Sequence, residues 1–162
     1  MPQAGPSLFS DLEPSSLAHT NPLSSELTKC FNWTTVFNNS FPKNSTFFVV
    51  TFRSVRSTNA DDRLLYAADE AAQEEARNSG GLLHYWYGKL NSRRECLAMC
   101  IWESRESATR AIHKPAHAAA MRLSSEMYHS YSVDLHWLRV GADGNPIFEP
   151  FNAHAPPHST NT

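Results

Sequence analysis

The sequence predicts an α+β fold in which a four-stranded antiparallel sheet carries its helices on one face. Segments 46–55 and 131–140 are dense in aromatic and β-branched residues, which favour strands. Between them, residues 59–78 repeat apolar side chains at helical spacing, and the polar turn "NSRR" joins two further strand-like runs. The order of elements is therefore β-α-β-β-α-β, which one sheet with helices on one side closes most simply.

The four predicted strands cover residues 46–55, 82–90, 94–104 and 131–140. The first, "TFFVVTFRSV", has the composition of a buried strand. The second and third, "LLHYWYGKL" and "RECLAMCIWES", lie close enough in sequence to form a hairpin. The fourth alternates apolar with polar side chains, as a half-buried strand does. Its apolar positions are Val133, Leu135 and Trp137, and its polar positions are Ser132, Asp134 and His136.

The predicted helices have recognisable ends. Thr58 followed by Asp61 resembles a capping pattern before the helix 59–78, and Gly80-Gly81 ends it. Ser104 caps a short helix in "SRESATRAIH". Pro115 lacks an amide proton and suits a first helical turn, so it predicts that a separate helix covers residues 115–128.

The chain divides into one domain and two tails. Residues 1–45 are rich in Pro, Ser, Thr and Asn, which predicts a flexible arm or one draped over the domain. The α+β domain covers residues 46–141. Residues 142–162 open with the turn "DGNP" and predict a C-terminal tail.

Composition excludes several classes of function. Lys and Arg number 14 against 16 Asp and Glu, a net charge of -2, so no basic face for nucleic acid or an anionic membrane is expected. The sequence has no apolar run of the ~20 residues needed to cross a bilayer. The N-terminus also lacks the features of a signal peptide, so the protein is expected to be cytoplasmic with reduced cysteines.

Alternation along the strands predicts two sheet faces of different character. One face is apolar enough to be buried under the helices. It would carry Phe48, Val50, Phe52, Leu83, Tyr85, Tyr87, Leu97, Met99, Ile101, Val133, Leu135 and Trp137. The other face mixes aromatic and polar groups and needs a cover, which could be a second subunit, the N-terminal arm or a ligand. Its candidate dimer-face residues are Thr51, Arg53, His84, Trp86, Asp134 and His136.

The segment "HKPAH" places two histidines four residues apart, the spacing of a metal pair on one helix face. Pro115 divides them, so His113 is expected at a helix end and His117 in the first turn of the next helix. A helix start favours the neutral imidazole, which suits a general base as well as a partly exposed surface histidine. No third ligand is close in sequence, and no metal site is predicted.

The stretch "CIWESRESATRAIHKPAH" resembles the dimeric α+β barrel superfamily, whose subunits are ferredoxin-like. The resemblance covers about residues 46–140, and the blocks "HYWYG" and "PAH" are most similar to a fungal branch. It implies a homodimer whose sheets meet face to face, and a pocket between helices and sheet. Members include cofactor-independent monooxygenases, polyketide cyclases, decarboxylases, isomerases and haem-degrading enzymes.

The resemblance and the aromatic residues together lead to one main functional hypothesis. The chain would be a cofactor-independent enzyme acting on a hydrophobic, aromatic or polyketide-like molecule, with His117 as acid/base. Tyr85, Tyr87 and Trp102 are the candidate substrate-binding residues. One alternative is a non-catalytic dimeric scaffold. A second is haem or metal binding through His117, although the first strand lacks the Asn that the haem-degrading branch uses.

Overall fold

The computed structural model describes residues 8–38 and 41–151. Its strands are β1 (Thr46–Arg56), β2 (Leu82–Tyr87), β3 (Glu95–Trp102), β4 (Tyr128–Val140) and β5 (Pro146–Pro150). They form one antiparallel sheet in the order β2-β3-β1-β4-β5. The predicted α+β class and the order of the four main strands are confirmed.

Six helices complete the described chain. Three short ones lie in the N-terminal arm: α1 (Leu17–Thr20), α2 (Leu27–Cys30) and α3 (Trp33–Asn38). The others are α4 (Asp62–Ser79), α5 (Arg105–Ile112) and α6 (Pro115–Met127). Asp61 caps α4 by accepting from the amides of Arg63 and Leu64, so the cap predicted at Thr58 was wrong. The predicted cap at Ser104 and the break at Pro115 are confirmed.

The sheet has a fifth strand that the sequence did not predict. β5 pairs with the C-terminal half of β4, from His136↔Pro150 to Val140↔Pro146. It falls in the part expected to be a tail, because a five-residue segment with proline at both ends carries little strand signal. Proline is tolerated in an edge strand, where one side of the backbone needs no partner. The part of the predicted tail beyond residue 151, and residues 1–7 of the arm, lie outside the described residues.

The N-terminal arm covers the sheet face opposite the helices and supplies much of the core. Phe9, Trp33 and Phe37 are almost fully buried against Val49 and neighbouring residues of the sheet. Phe9 contacts the rings of Phe37, Phe41 and Phe47. Of the two kinds of arm considered from the sequence, flexible and draped, the structure has the draped one.

The assignment of β3 to the two faces was inverted. Register places Ile101 opposite Val49 and Met99 opposite Thr51, so Leu97, Met99 and Ile101 lie on the face that the arm covers. Leu83 also packs there, because β2 is irregular between Leu82 and His84. Alternation correctly grouped the β3 side chains, but only packing decides which side is more deeply buried. The side chains on the face that the arm covers are the more deeply buried ones.

The helix face is less completely covered. Phe48 and Trp102 pack with Ala108 and Ala111 of α5, but α6 has no buried residue and contacts mainly α4. Residues 129–135 of β4 are exposed on both faces. The helices therefore cover the β2–β3 side of this face and leave the N-terminal half of β4 open.

A glycine pair between α4 and β2 allows a first test of the packing. Gly80 and Gly81 both have positive φ, near 87° and 86°, but only at Gly81 would a Cβ collide with the Ser107 side chain. We expect Gly81→Ala to lower the free energy of unfolding by about 1–3 kcal/mol more than Gly80→Ala, since both strain the backbone and only one overlaps a neighbour. Urea denaturation of both variants measures this difference. Equal losses of unfolding free energy would contradict the close approach of Ser107 on α5 to Gly81.

Candidate functional site

A carboxylate lies in the apolar stripe of α4, on the helix side of the sheet. Leu65, Asp69, Ala72 and Ala76 follow one another at helical spacing, and Leu65 and Ala76 are packed in apolar surroundings. The Tyr85 hydroxyl of β2 donates a 2.7 Å hydrogen bond to Asp69 Oδ1. Because few acidic side chains are placed in such stripes without a partner, this pair is the first candidate for chemistry.

The surroundings shift the pKa of both members of the pair. Burial raises the pKa of Asp69, and the hydrogen bond from Tyr85 opposes part of that rise. Burial also raises the pKa of Tyr85, and the neighbouring Asp69 carboxylate adds to it. Tyr85 therefore remains a hydrogen-bond donor at neutral pH, while Asp69 is the group that can take up and release a proton.

The pair continues into a group of side chains that we call the tyrosine cluster: Asp69, Tyr85, Tyr87, Tyr66 and Arg56. Tyr87 is 51% exposed, and its ring lies 6.0 Å from that of Tyr85 and 6.2 Å from that of Tyr66. Arg56, buried at the end of β1, donates 2.9 Å to Asp62 and 3.3 Å to the Tyr66 hydroxyl. The Asp69 carboxyl is thus half-buried, and the exposed ring of Tyr87 lies beside its hydrogen-bond partner Tyr85.

A row of side chains crosses the helix face of the sheet from this cluster. Strand register places Tyr85 opposite Cys100, Cys100 opposite Val50, and Val50 opposite Leu135. Three strand spacings amount to about 14 Å. Leu135 is 37% exposed, and its neighbour on the same face, Val133, is 50% exposed. The row therefore begins at the Asp69–Tyr85 pair, passes through Cys100 and Val50, which pack against the core beside α5, and ends at an exposed apolar surface.

His117 lies in the first turn of α6, as predicted. The backbone amides of Ala116 and His117 donate to the Glu75 carboxylate of α4, at 3.1 and 3.3 Å. The ring Nδ1 of His117 is buried without a hydrogen-bond partner, and burial lowers its pKa while Glu75 opposes this shift. A cleft of about 490 Å³ lies at the start of α6, lined by Lys114, Ala116 and residues of α4 that include Glu75, but His117 does not line it.

The predicted site residues are brought together only in part. Tyr85 and Tyr87 are neighbours in the tyrosine cluster, but no hydrogen bond or ring contact within the described residues joins His117 to either of them. Trp102 is 5% exposed and packs in the core with Phe48. The substrate-binding role of Trp102 and the catalytic role of His117 stay predictions.

The six predicted dimer-face residues all lie on the face that the arm covers. Arg53 donates to the carbonyls of Pro22 and Ser25 at 2.7 and 2.8 Å, and it approaches Asp134 at 3.9 Å. Trp86 contacts the rings of His19 and Phe31. Thr51 is fully buried, His84 lies near Phe9, and His136 borders a groove of about 540 Å³ beside the segment 23–28. Within one chain the arm covers Thr51, Arg53, His84 and Trp86, whereas the Asp134 side chain stays 50% exposed. The role of all six residues in a dimer stays a prediction.

Sequence reasoning missed Asp69, Tyr66 and Arg56. The signal for Asp69 was present, because it is the only charged side chain among Leu65, Ala72 and Ala76 on that stripe of α4. Arg56 gave no comparable signal, since its contact with Tyr66 depends on how α4 lies against the end of β1. Long side chains at element ends reveal their partners only in the folded chain.

Two negative findings apply to residues 8–38 and 41–151. No group of three or more His, Cys, Asp or Glu side chains there is arranged to hold a metal ion. None of the helices in that part of the chain has the length and apolar character to span a membrane.

Comparison with known proteins places this architecture in a family. The PB2B2.08-like family model matches residues 9–149. The chain belongs to the PB2B2.08-like family. A curated relative, UPF0643 protein PB2B2.08 of Schizosaccharomyces pombe, is 30% identical over 104 residues, which cover 60% of this chain and 47% of that protein. The chain thus spans about half the length of this relative.

A solved bacterial structure shares the fold of this PB2B2.08-like chain. Protein SO0527 from Shewanella oneidensis superposes with a TM-score of 0.50 at 14% identity, covering 60% of this chain and 96% of its own. SnoaB, a cofactor-independent oxygenase from Streptomyces nogalater, has a TM-score of 0.46 at 9% identity, covering 56% and 90%. The structure of SO0527 supports the predicted fold, and the family model with its Schizosaccharomyces pombe relative confirms the resemblance to a fungal branch.

Proposed function

We propose that this chain is a cofactor-independent acid/base enzyme that acts on a hydrophobic aromatic or polyketide-like molecule. The single observation behind the proposal is the Asp69–Tyr85 pair, in which a carboxyl of α4 with a raised pKa accepts a 2.7 Å hydrogen bond from a tyrosine of β2. Such a group transfers protons near neutral pH more effectively than an ordinary surface carboxylate. The open apolar end of the row at Val133 and Leu135 supports the hydrophobic nature of the substrate.

The proposed chemistry is removal of a proton from carbon or oxygen activated by a carbonyl group. Asp69 accepts the proton, and the Tyr85 hydroxyl holds the carboxylate in position. Tyr87 stacks on or orients the aromatic substrate at the entrance. The resulting carbanion or enolate then reacts with O₂ or cyclises according to the substrate, which is chemistry that needs no bound cofactor.

His117 is the alternative base in this proposal. Its buried ring Nδ1 without a partner supports that role, since a neutral imidazole with a free nitrogen can accept a proton. Comparing Asp69 and His117 variants separates the two assignments, because Asp69 bonds to Tyr85 whereas the charged neighbour of His117 is Glu75.

Hydrogen–deuterium exchange at carbon provides the test. Hydroxyanthrones and 1,3-diketones of two or three rings would be incubated with the protein in D₂O without oxygen, and loss of the acidic C–H signal followed by NMR. We expect wild-type protein to accelerate exchange well above the buffer rate, whatever reaction follows in vivo. Admitting O₂ then tests oxygenation, in which an anthrone and O₂ yield an anthraquinone and water.

The scaffold and haem alternatives give different results in the same samples. A non-catalytic protein would leave the exchange rate at the buffer value and show no rise in melting temperature with any of these molecules. A haem protein would show a Soret band after supplementation with haem. Either result would contradict the proposed function.

A further inference from the structure

A groove of about 540 Å³ lies between the N-terminal arm and the sheet, and we call it the arm groove. One wall is the arm segment 23–28, and the other wall includes Arg53, Asp134, His136 and Phe148 of the sheet. These side chains point to the sheet face that is opposite the Asp69–Tyr85 pair. The volume is in the range of sites that hold small organic molecules.

Arg53 fastens the arm to the sheet beside this groove. Its side chain is largely buried, and its terminal nitrogens donate to the carbonyls of Pro22 and Ser25 at 2.7 and 2.8 Å. The Nε atom lies 3.9 Å from Asp134 Oδ2, which is longer than a hydrogen bond. The guanidinium is therefore used mainly to hold the arm, and the half-exposed Asp134 carboxylate can accept hydrogen bonds from another group.

Two buried polar atoms near Asp134 lack hydrogen-bond partners among the described residues. Thr51 lies directly opposite Asp134 in the strand register, and its fully buried hydroxyl is one of them. The Nδ1 atom of His136, two residues along the same strand, is the other. Directly opposite strand positions and next-nearest positions on one face are about 5–7 Å apart. Because an unsatisfied buried polar atom costs free energy, two of them beside one open carboxylate call for an explanation.

The three groups are all able to accept a hydrogen bond. Burial lowers the pKa of His136, and Arg53 adds to this shift while Asp134 opposes it, so the imidazole is neutral at neutral pH. A neutral imidazole and a hydroxyl each have an acceptor lone pair, and a carboxylate has only acceptors. Glu26 adds a second carboxylate to the lining, at the exposed rim, where it lies 3.7 Å from Lys29. The polar part of the arm groove therefore suits a ligand group that is rich in donors and positively charged.

The remaining lining of the groove is apolar. Leu23 and Leu27 belong to the arm wall, and Phe148 belongs to the sheet wall. Phe148 is held in place by ring contacts with Trp33 and His136, at centroid distances of 5.4 and 6.0 Å. A ligand therefore meets apolar side chains next to the acceptor groups, as in a typical small-molecule site.

We propose that the arm groove binds a small primary amine, with its ammonium group at Asp134 and its apolar body between the arm and Phe148. A primary ammonium group carries three N–H donors, which matches the three acceptors at Asp134, Thr51 and His136. Hydrogen bonds between charged groups are the strong ones, so Asp134 supplies most of the selectivity. The site lies on the other face of the sheet from the Asp69–Tyr85 pair, and the inference does not rest on the proposed function.

Such a ligand would also stabilise the docked arm. The groove exists only where segment 23–28 lies on the sheet, so the amine binds the folded chain and not the unfolded one. Binding should therefore raise the melting temperature with increasing amine concentration.

Isothermal titration calorimetry of the full chain at pH 7 tests the proposal with two matched probes. 2-Phenylethylamine carries an ammonium group at this pH, and 2-phenylethanol has the same body with a neutral hydroxyl group. We expect the amine to bind at least about 10-fold more tightly than the alcohol, because hydrogen bonds to a charged partner are worth more than neutral ones. Amide chemical-shift changes should be confined to segment 23–28 and to residues 132–136 and their neighbours.

Asp134→Asn should weaken binding of the amine by about 10-fold or more and leave binding of the alcohol unchanged. The variant should melt near the wild-type temperature without ligand, since a half-exposed ion pair at 3.9 Å contributes little to stability. Asp11→Asn is the matched control, because it removes the same charge from the exposed part of the arm outside the groove.

Three results would overturn the assignment. They are equal or absent binding of the amine and the alcohol, an Asp134→Asn protein that binds the amine as wild type does, and shift changes that lie outside the groove. An Asp11→Asn protein that loses as much affinity as Asp134→Asn would show a general charge effect and would also contradict a specific site.

Discussion

Replacing Asp69 by asparagine is expected to reduce the rate of carbon exchange by about 100-fold or more. A positioned general base contributes roughly 10² to 10⁴ in rate, and an amide cannot accept the proton. The isosteric change keeps the hydrogen bond with Tyr85, 2.7 Å long in the native protein, within reach. The measurement is the initial exchange rate at saturating substrate, compared with wild type.

The same substitution is not expected to destabilise the fold at neutral pH. The folded-state pKa of Asp69 is raised, so the folded protein binds the proton more tightly than the unfolded chain does. Stability from this group is therefore present below the unfolded pKa and is lost as the pH rises through the folded pKa. Because asparagine carries no charge, Asp69→Asn should be as stable as wild type, or more stable, above that range.

Tyr85→Phe is the control that tests the pair as a unit. The Tyr85 hydrogen bond lowers the pKa of Asp69, so removing the hydroxyl should raise that pKa further. The acidic limb of the rate profile would then move to higher pH, which a purely structural role for Tyr85 would not cause. An Asp69→Asn variant with unchanged exchange, beside an inactive His117→Ala, would transfer the role of base to His117.

Replacing Trp33 by alanine is expected to lower the free energy of unfolding by about 3–5 kcal/mol, the usual cost of removing a large buried aromatic side chain. Trp33 is 1% exposed, and its ring contacts Phe31, Phe37 and Phe148 at centroid distances of 5.4–5.9 Å. Its indole N–H also donates 2.8 Å to the Leu27 carbonyl. Urea denaturation followed by far-UV circular dichroism gives the change.

Leu23→Ala provides the matched control in the same arm. Leu23 is 37% exposed, so Leu23→Ala should lower the free energy of unfolding by much less than Trp33→Ala does. Trp33→Phe should fall between the two, because it keeps most of the packing and loses the hydrogen bond. If Trp33→Ala cost no more than Leu23→Ala, the arm would not be part of the cooperative core.

The site was predictable to the extent that its signals were local. Tyr85 and Tyr87 were identified from an aromatic strand, and His117 from a proline that begins a helix; the structure places all three at the predicted elements. Asp69 is a candidate general base because of its hydrogen bond with Tyr85, which only the folded chain shows. These two residues are 16 positions apart, and no local pattern links a helix position to a particular strand position.

The sequence by itself determined the four main strands, the helices α4 to α6, their order and the division of α5 from α6 at Pro115. These features depend on hydrophobic period, capping and backbone chemistry, which act over a few residues. The tertiary structure alone decided that the arm, and not the helices, covers Leu97, Met99 and Ile101. Alternation of apolar and polar side chains indicates that the two sheet faces differ. The free energy of burying each face depends on which distant segment covers it. For the same reason, only the folded chain shows that β5 pairs with the C-terminal half of β4 and completes the sheet on that side.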